Sequence, residues 1–191
     1  MVIGMSLTPP EPPLADEVVA LRPWRVDDAP AVAAAIDGDP EIGAWLDQVP
    51  QPYGLEDAHA YIGACRRGWA EGTSANFAVV DPADGKVLGS LGLRLADLPD
   101  GVAEAGYWVA REARGRGVAT HALRLAVRWL LGEPGIERVQ LRADTLNMGS
   151  QRVAEKAGFT REGVLRSMHY NPRLGRRIDF VMFSLLPGEL P

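Results

Sequence analysis

Residues 103–120, AEAGYWVAREARGRGVAT, run from a strand-like stretch through a turn rich in glycine and arginine into an amphipathic helix. Tyr107, Trp108 and Val109 have the aromatic and β-branched character that favours strands, and Gly115 and Gly117 remove side chains where the backbone must turn sharply. The amide N–H groups of such a turn converge with the positive end of the next helix on one point, where a diphosphate would sit. Arg111, Arg114 and Arg116 add formal positive charge nearby. The chemistry expected here is the holding of an anionic cofactor by Arg111, Arg114, Gly115, Arg116, Gly117, Val118, Ala119 and Thr120. A generic nucleotide-binding domain fits poorly, because no Walker lysine follows Gly117 and no Rossmann acid follows a Gly-x-Gly-x-x-Gly run.

About thirty residues downstream comes Asn147-x-x-Ser150-x-x-Val153-x-Glu155-Lys156-x-Gly158-Phe159. Asn147 and Ser150 lie at i and i+3 around a helix start and present polar groups to one side, a spacing that also serves as a helix cap. In this order the two segments resemble the GNAT superfamily, the acyl-CoA-dependent N-acetyltransferases, whose diphosphate loop Arg/Gln-x-x-Gly-x-Gly/Ala is matched by Arg114-x-x-Gly117-x-Ala119. The resemblance covers about Val18 to Leu185 and is nearest to the RimJ/RimL branch, which acetylates the N-termini of ribosomal proteins. It implies acetyl-CoA as cosubstrate, a cofactor contact from Asn147, and a pantetheine arm lying along the backbone of Tyr107, Trp108 and Val109. It also implies an acceptor-side wall at Trp45 and Tyr53, with Tyr170 and Asp179 as further candidates. A homodimer would be in keeping with this branch.

Acetyl transfer from a thioester to an amine needs a neutral nitrogen. Neutralising a lysine amine of pKa about 10.4 at pH 7 costs about 4 to 5 kcal/mol, whereas an α-amine near 8 costs about 1 to 1.5 kcal/mol. An α-amine enzyme can therefore use a weak or water-relayed base, and Glu104 is the candidate. It stands in a strand that otherwise reads apolar, where the resembling family often places a carboxylate acting through water, and a regular strand puts Glu104, Gly106 and Trp108 on one face. The alternative is an edge-strand carboxylate. Many GNAT members carry a tyrosine seven residues after the asparagine as acid for the leaving thiolate; here that position is Ala154. The RimJ/RimL branch assigns the role to a serine at the position of Ser150, and a thiol of pKa about 8.5 leaves readily enough for a hydroxyl donor. Direct transfer to the amine is expected, since Cys65 has no evident activating group and Ser90 is not in a nucleophile elbow. Within the same chemistry the acceptor could be a small amine such as an antibiotic or polyamine. The missing tyrosine leaves room for a non-catalytic acyl-CoA-binding module.

Composition narrows the rest. The 191 residues are 47 % apolar and 24 % charged, ordinary for a globular protein. Apolar runs are too short to cross a bilayer and the N-terminus lacks a secretory pattern, so the expectation is a cytoplasmic protein without membrane contact. A single cysteine rules out an internal disulfide, and His59, His121 and His169 lack metal-ligand spacing, so no metal is expected. His169 reads as a satisfied strand histidine. The net charge of −5 divides unevenly: residues 1–100 hold 16 acids and 6 bases, net −10, and residues 101–191 hold 9 and 14, net +5. The acidic half would attract a cationic acceptor such as a basic protein N-terminus, or is simply a solvated surface. A pI near 5.2 argues against direct nucleic-acid binding.

The elements that must position these residues follow from periodicity. The expectation is a flexible proline-rich arm over 1–14 and one acetyltransferase domain over 15–187. Its order reads β-α-α-β-β-β-α-β-α-β-β, a mixed α/β (α+β) fold with a seven-stranded, mostly antiparallel sheet and about four helices. Pro40 to Tyr53 reads as irregular, and Ala119, Ala122, Leu123, Ala126, Val127 and Leu130 form one apolar helical stripe. The helix that carries this stripe joins the one parallel strand pair.

Overall fold

A computed structural model describes residues 7–97 and 100–190. These form an eight-stranded sheet and five α-helices, with single 3₁₀ turns at Val26–Asp28 and Arg111–Ala113. The strands are β1 (Leu14–Ala15), β2 (Ala20–Pro23), β3 (Ser74–Val80), β4 (Val87–Asp97), β5 (Val102–Val109), β6 (Arg138–Asp144), β7 (Thr160–Asn171) and β8 (Arg176–Leu185). The helices are α1 (Ala29–Asp37), α2 (Pro40–Trp45), α3 (Leu55–Glu71), α4 (Val118–Leu130) and α5 (Met148–Lys156). The spatial order is β1-β2-β3-β4-β5-β6-β8-β7, and only β5 and β6 pair in parallel, joined through α4.

The class is the expected one, and two elements exceed the expected count. β1 is a two-residue strand paired with Leu21 and Ala20, its turn fixed by Asp16 Oδ1, which accepts from Val18 N and Val19 N. α2 occupies the segment expected to be irregular. Asp39 caps it, Oδ1 accepting from Glu41 N at 3.1 Å, and Pro40 takes the first helical position, where an N–H would have no partner. Six residues carry too little periodicity to show a helix, so only the cap marks it. Of the proline-rich arm, residues 1–6 lie outside the described residues. Leu7 is buried in the core and Leu14 opens β1, so the described part departs from a flexible arm because it has apolar side chains to bury.

The apolar stripe of α4 buries Val118, Ala122, Leu123, Ala126, Val127 and Leu130 against β4 and β5 on one face of the sheet. On the other face α3 packs on β3 and α1 on α3, enclosing a second cluster that includes Trp24, Ile62, Cys65, Ala78 and Trp108. Burial pushes the Cys65 thiol up to about 11, as suits a small apolar filler. Among the described residues no helix is long and apolar enough to cross a membrane.

The parallel register begins at Gly101, whose carbonyl accepts from Glu137 N at 2.9 Å and Arg138 N at 3.2 Å. Gly101 has φ +67°, and a Cβ there would lie 2.4 Å from the Gly135 carbonyl oxygen. Gly101→Ala should therefore destabilise the protein by about 1–3 kcal/mol. Urea denaturation checks this, and an unchanged midpoint would show that the register is held elsewhere.

Candidate functional site

β5 and β6 pair only from Val102 opposite Arg138 to Ala105 opposite Leu141. Beyond that point β5 continues against β4 to Val109 and β6 continues against β8 to Asp144, so the two strands part. Ala110 N donates to Leu88 O at 2.8 Å, and antiparallel alternation then turns the backbone of Trp108 and Gly106 toward β4. The backbone of Tyr107 and Val109 points into the opening. Arg114 Nε donates to the Val109 carbonyl at 3.1 Å, leaving the main chain of Tyr107 and the N–H of Val109 for an added extended chain. Of the three residues expected to line a pantetheine arm, Trp108 is therefore misplaced. Its backbone serves β4, and its side chain is 8 % exposed beside Trp24, ring centroids 6.5 Å apart.

Past the opening, the 3₁₀ turn leads through Gly115 (φ +74°) and Gly117 (φ +83°) into α4. No side chain caps α4, so its first-turn amides remain for an anion. A Cβ at Gly115 would meet nothing within 4 Å; one at Gly117 would lie 3.2 Å from His121 Cδ2. His121 Nδ1 in turn sits 2.7 Å from Asp16 Oδ2. Two of the three arginines expected to add charge here have other partners. Arg114 Nη1 donates to Glu41 Oε2 at 2.6 Å and Nη2 to Asp39 Oδ2, so its guanidinium ties the loop to the start of α2. Arg116 lies 3.7 Å from Asp81, and Arg111 is exposed. Acids more than seventy residues earlier capture the Arg114 charge, which loop composition alone could not reveal.

Glu104, Gly106 and Trp108 share a face, as expected. Glu104 Oε1 accepts from Arg142 Nη2 at 2.6 Å, while Oε2 accepts from Gln140 Nε2 at 3.1 Å and lies 3.5 Å from Arg94. With Asn76, Gly92, Arg94, Ala105 and Gly106 it lines a cleft of about 210 Å³. A Cβ at Gly106 would meet nothing within 4 Å, so the cleft is open beside the carboxylate. A carboxylate has about four lone-pair positions, so capacity remains for a water. The row continues across the sheet: the Arg142 guanidinium stands 5.8 Å from the centre of the Phe180 ring, and that ring is 6.1 Å from the imidazole of His169. His169 Nε2 lies 2.7 Å from Asp47 Oδ2, just past α2.

On the opposite side of the opening, Asn147 caps α5, Oδ1 accepting from Ser150 N at 3.0 Å. The Ser150 hydroxyl is 2.9 Å from the Tyr107 hydroxyl, which also reaches the Ser150 carbonyl at 3.4 Å. Burial pushes the Tyr107 phenol up to about 12 against the opposing effect of its Ser150 hydrogen bond. Ala154 is fully buried in the core, so its place in the helix offers no hydroxyl. The expected acceptor wall is only partly assembled. Trp45, at the end of α2, and Tyr170 are 40 % and 53 % exposed, but Tyr53 is 7 % exposed within the second core cluster. Burial, aided by the Asp57 charge, pushes its phenol up to about 12; Tyr53 is a packing residue. Asp179 Oδ1 accepts from Ser167 N at 2.6 Å and is occupied by its own hairpin. Sequence reading missed the groups that hold α2 from the far end: His169 on Asp47, and Arg173, which donates to the carbonyls of Gly43 and Val49. These pairs span over 120 residues and leave no local signal.

Residues 19–160 match the family described as Acetyltransferase (GNAT) domain. The chain is 30 % identical over 176 residues to "Putative ribosomal N-acetyltransferase YdaF" of Bacillus subtilis (strain 168), covering 91 % of this chain and 94 % of that one. Among solved structures, one described as "Probable acetyltransferase" superposes with a TM-score of 0.80 at 29 % identity, covering 90 % and 94 %. RimJ of Mycobacterium smegmatis in complex with CoA-disulfide shares the fold with a TM-score of 0.78 at 24 % identity, covering 91 % and 84 %.

Because Gly117 stands in the left-handed region at the mouth of α4, Gly117→Glu should strain the loop and place negative charge at the anion site. Calorimetric titration should show CoA affinity falling by about tenfold or more. Undiminished binding would move the diphosphate elsewhere.

Proposed function

The chain belongs to the GNAT acetyltransferase family and is of the RimJ/RimL-like type, and on that footing we propose that it carries acetyl from acetyl-CoA directly to the α-amine of a protein N-terminus. The coarser activity, that of an N-acetyltransferase, follows from the family. The observation that supports the finer reading best is the opening between β5 and β6, with the main chain of Tyr107 and the N–H of Val109 turned into it and leading to the uncapped start of α4. A chain bearing amides could pair along that edge while its diphosphate meets the α4 amides. RimJ of Mycobacterium smegmatis, the fold neighbour that holds CoA-disulfide, and YdaF, the relative named for ribosomal N-acetylation, support the cosubstrate and the acceptor class respectively. Residues 15–187 would act as one acetyltransferase domain, and an acceptor of this kind places its work in the cytoplasm.

In this reading the main chain from Arg114 to Thr120 binds the diphosphate, and Asn147 orients α5 toward the cofactor. Glu104, on the face turned away from α5, draws the proton from the acceptor amine through a water in the cleft beside Gly106. An α-amine of pKa about 8 is already partly neutral, so a carboxylate paired with arginine can suffice, which a lysine side chain of about 10.4 would not allow. Ser150 offers its hydroxyl to the departing sulfur. The small-amine alternative draws support from the modest size of the cleft at Glu104, about 210 Å³.

Thiol release from acetyl-CoA, measured with a basic N-terminal peptide, the same peptide with a blocked α-amine and a polyamine, tests the proposal. Release with the free peptide alone is expected. Polyamine turnover in its place would transfer the reading to small amines, and tight CoA binding without release to a binding module. Glu104→Gln should lower kcat by about a hundredfold at neutral pH, with the loss shrinking as pH approaches the amine pKa. A uniform loss across pH would remove Glu104 from proton transfer.

A further inference from the structure

We propose that Tyr107 is the positioning residue for Ser150, its phenol standing in for the hydroxyl missing at Ala154. The inference rests on the reading of Ser150 as the group that meets the leaving sulfur. Three observations carry it. Tyr107 and Ser150 face one another across the opening, from β5 and α5 respectively, with their hydroxyl oxygens 2.9 Å apart. Ala154, the helical position where a phenol would otherwise originate, is sealed in the core. The Tyr107 ring is partly buried against the main core, so the hydroxyl reaches Ser150 from a fixed support.

A phenol has one proton, and it can go to the Ser150 hydroxyl at 2.9 Å or to the Ser150 carbonyl at 3.4 Å. When Tyr107 donates to Ser150 Oγ, the Ser150 proton is released from that pair and can point at a third atom in the opening. A developing thiolate would select this arrangement, because only then does it receive a hydrogen bond. The amine nitrogen bonds to the acetyl carbon and loses its proton to Glu104 through water. The C–S bond breaks with its electron pair on sulfur, and Ser150 stabilises that pair by hydrogen bonding until water protonates the thiolate. Neither hydroxyl ionises, in keeping with a buried phenol that remains a donor far above neutral pH. Tyr107 thus acts through Ser150 and touches neither acceptor nor acetyl group.

The test is a double-mutant cycle with Tyr107→Phe, which keeps the ring, and Ser150→Ala. Each variant should lose about tenfold in kcat, equivalent to about 1.4 kcal/mol, with KM for acetyl-CoA and calorimetric CoA affinity within twofold of wild type. The double variant should be no slower than the slower single, since the two hydroxyls form one device. A readout independent of turnover is the ¹³Cζ resonance of labelled Tyr107, which should shift in Ser150→Ala and again when CoA is added to the wild type. Full turnover in Tyr107→Phe, a multiplicative double loss, or a resonance indifferent to Ser150 and to CoA overturns the inference while leaving Ser150 in place. Full turnover in Ser150→Ala overturns the underlying reading as well.

Discussion

The site depends on the point at which β5 and β6 stop pairing. A parallel ladder that continued past Ala105 and Leu141 would satisfy the backbone of Tyr107 and Val109 and leave no entry. The separation instead leaves polar main chain at the centre of the sheet, which would be costly if it were buried without partners. Each strand keeps its other neighbour, β4 for β5 and β8 for β6, so the opening costs only the bonds between the two. Arg114 Nε satisfies the Val109 carbonyl at its outer end. The remaining groups await water or an extended ligand, and the ligand then inherits the geometry of a strand.

The alternation of side chains along β5 gives this opening two chemically distinct walls. Tyr107 projects toward α5 and meets Ser150, whereas Glu104, Gly106 and Trp108 project to the opposite face. In the proposed reaction, proton removal and sulfur departure would fall on opposite sides of one strand, with the carboxylate away from the atom that becomes negative. Trp108 anchors the arrangement by packing under Trp24, and Gly106 leaves the space that Glu104 needs. A slip of one residue in the register of β5 would exchange the two walls, so the fixed start at Gly101 also fixes which side chains line each of them.

Most of this was legible where the signal is local. The glycines of the loop, the α4 stripe, the shared face of Glu104 and Trp108 and the Asn147 cap all follow from residue type and short spacing. The family resemblance added the acetyltransferase activity, and the family match agrees with it. What sequence could not supply was side-chain partnership across long separations. Tyr53 reads as an acceptor-wall aromatic and lies in the core, because its burial depends on how the segment between α2 and α3 folds into the second cluster. In the sequence Tyr107 offers only its backbone, and its hydroxyl meets Ser150 because the fold sets α5 opposite β5. α2 itself carries no periodic signal, since a single turn and a half of helix offers a cap and no period.

Arg114 shows how a long-range partnership changes the physics. Read from composition, its charge belongs to the phosphate; in the fold it bridges the loop to Asp39 and Glu41 at the start of α2. Asp39 has a side chain only 4 % exposed, and a buried carboxylate of that kind is tolerable only with a partner. In the proposed reading the diphosphate is consequently left to backbone amides and the α4 terminus, which would bind it by geometry more than by net charge. The same bridge makes α2, which carries the exposed Trp45, a structural extension of the cofactor loop. From the other side Arg173 and His169 hold the segment after α2 onto the β7–β8 hairpin. The α2 segment is thus fastened at one end to the loop before α4 and at the other to the β7–β8 hairpin.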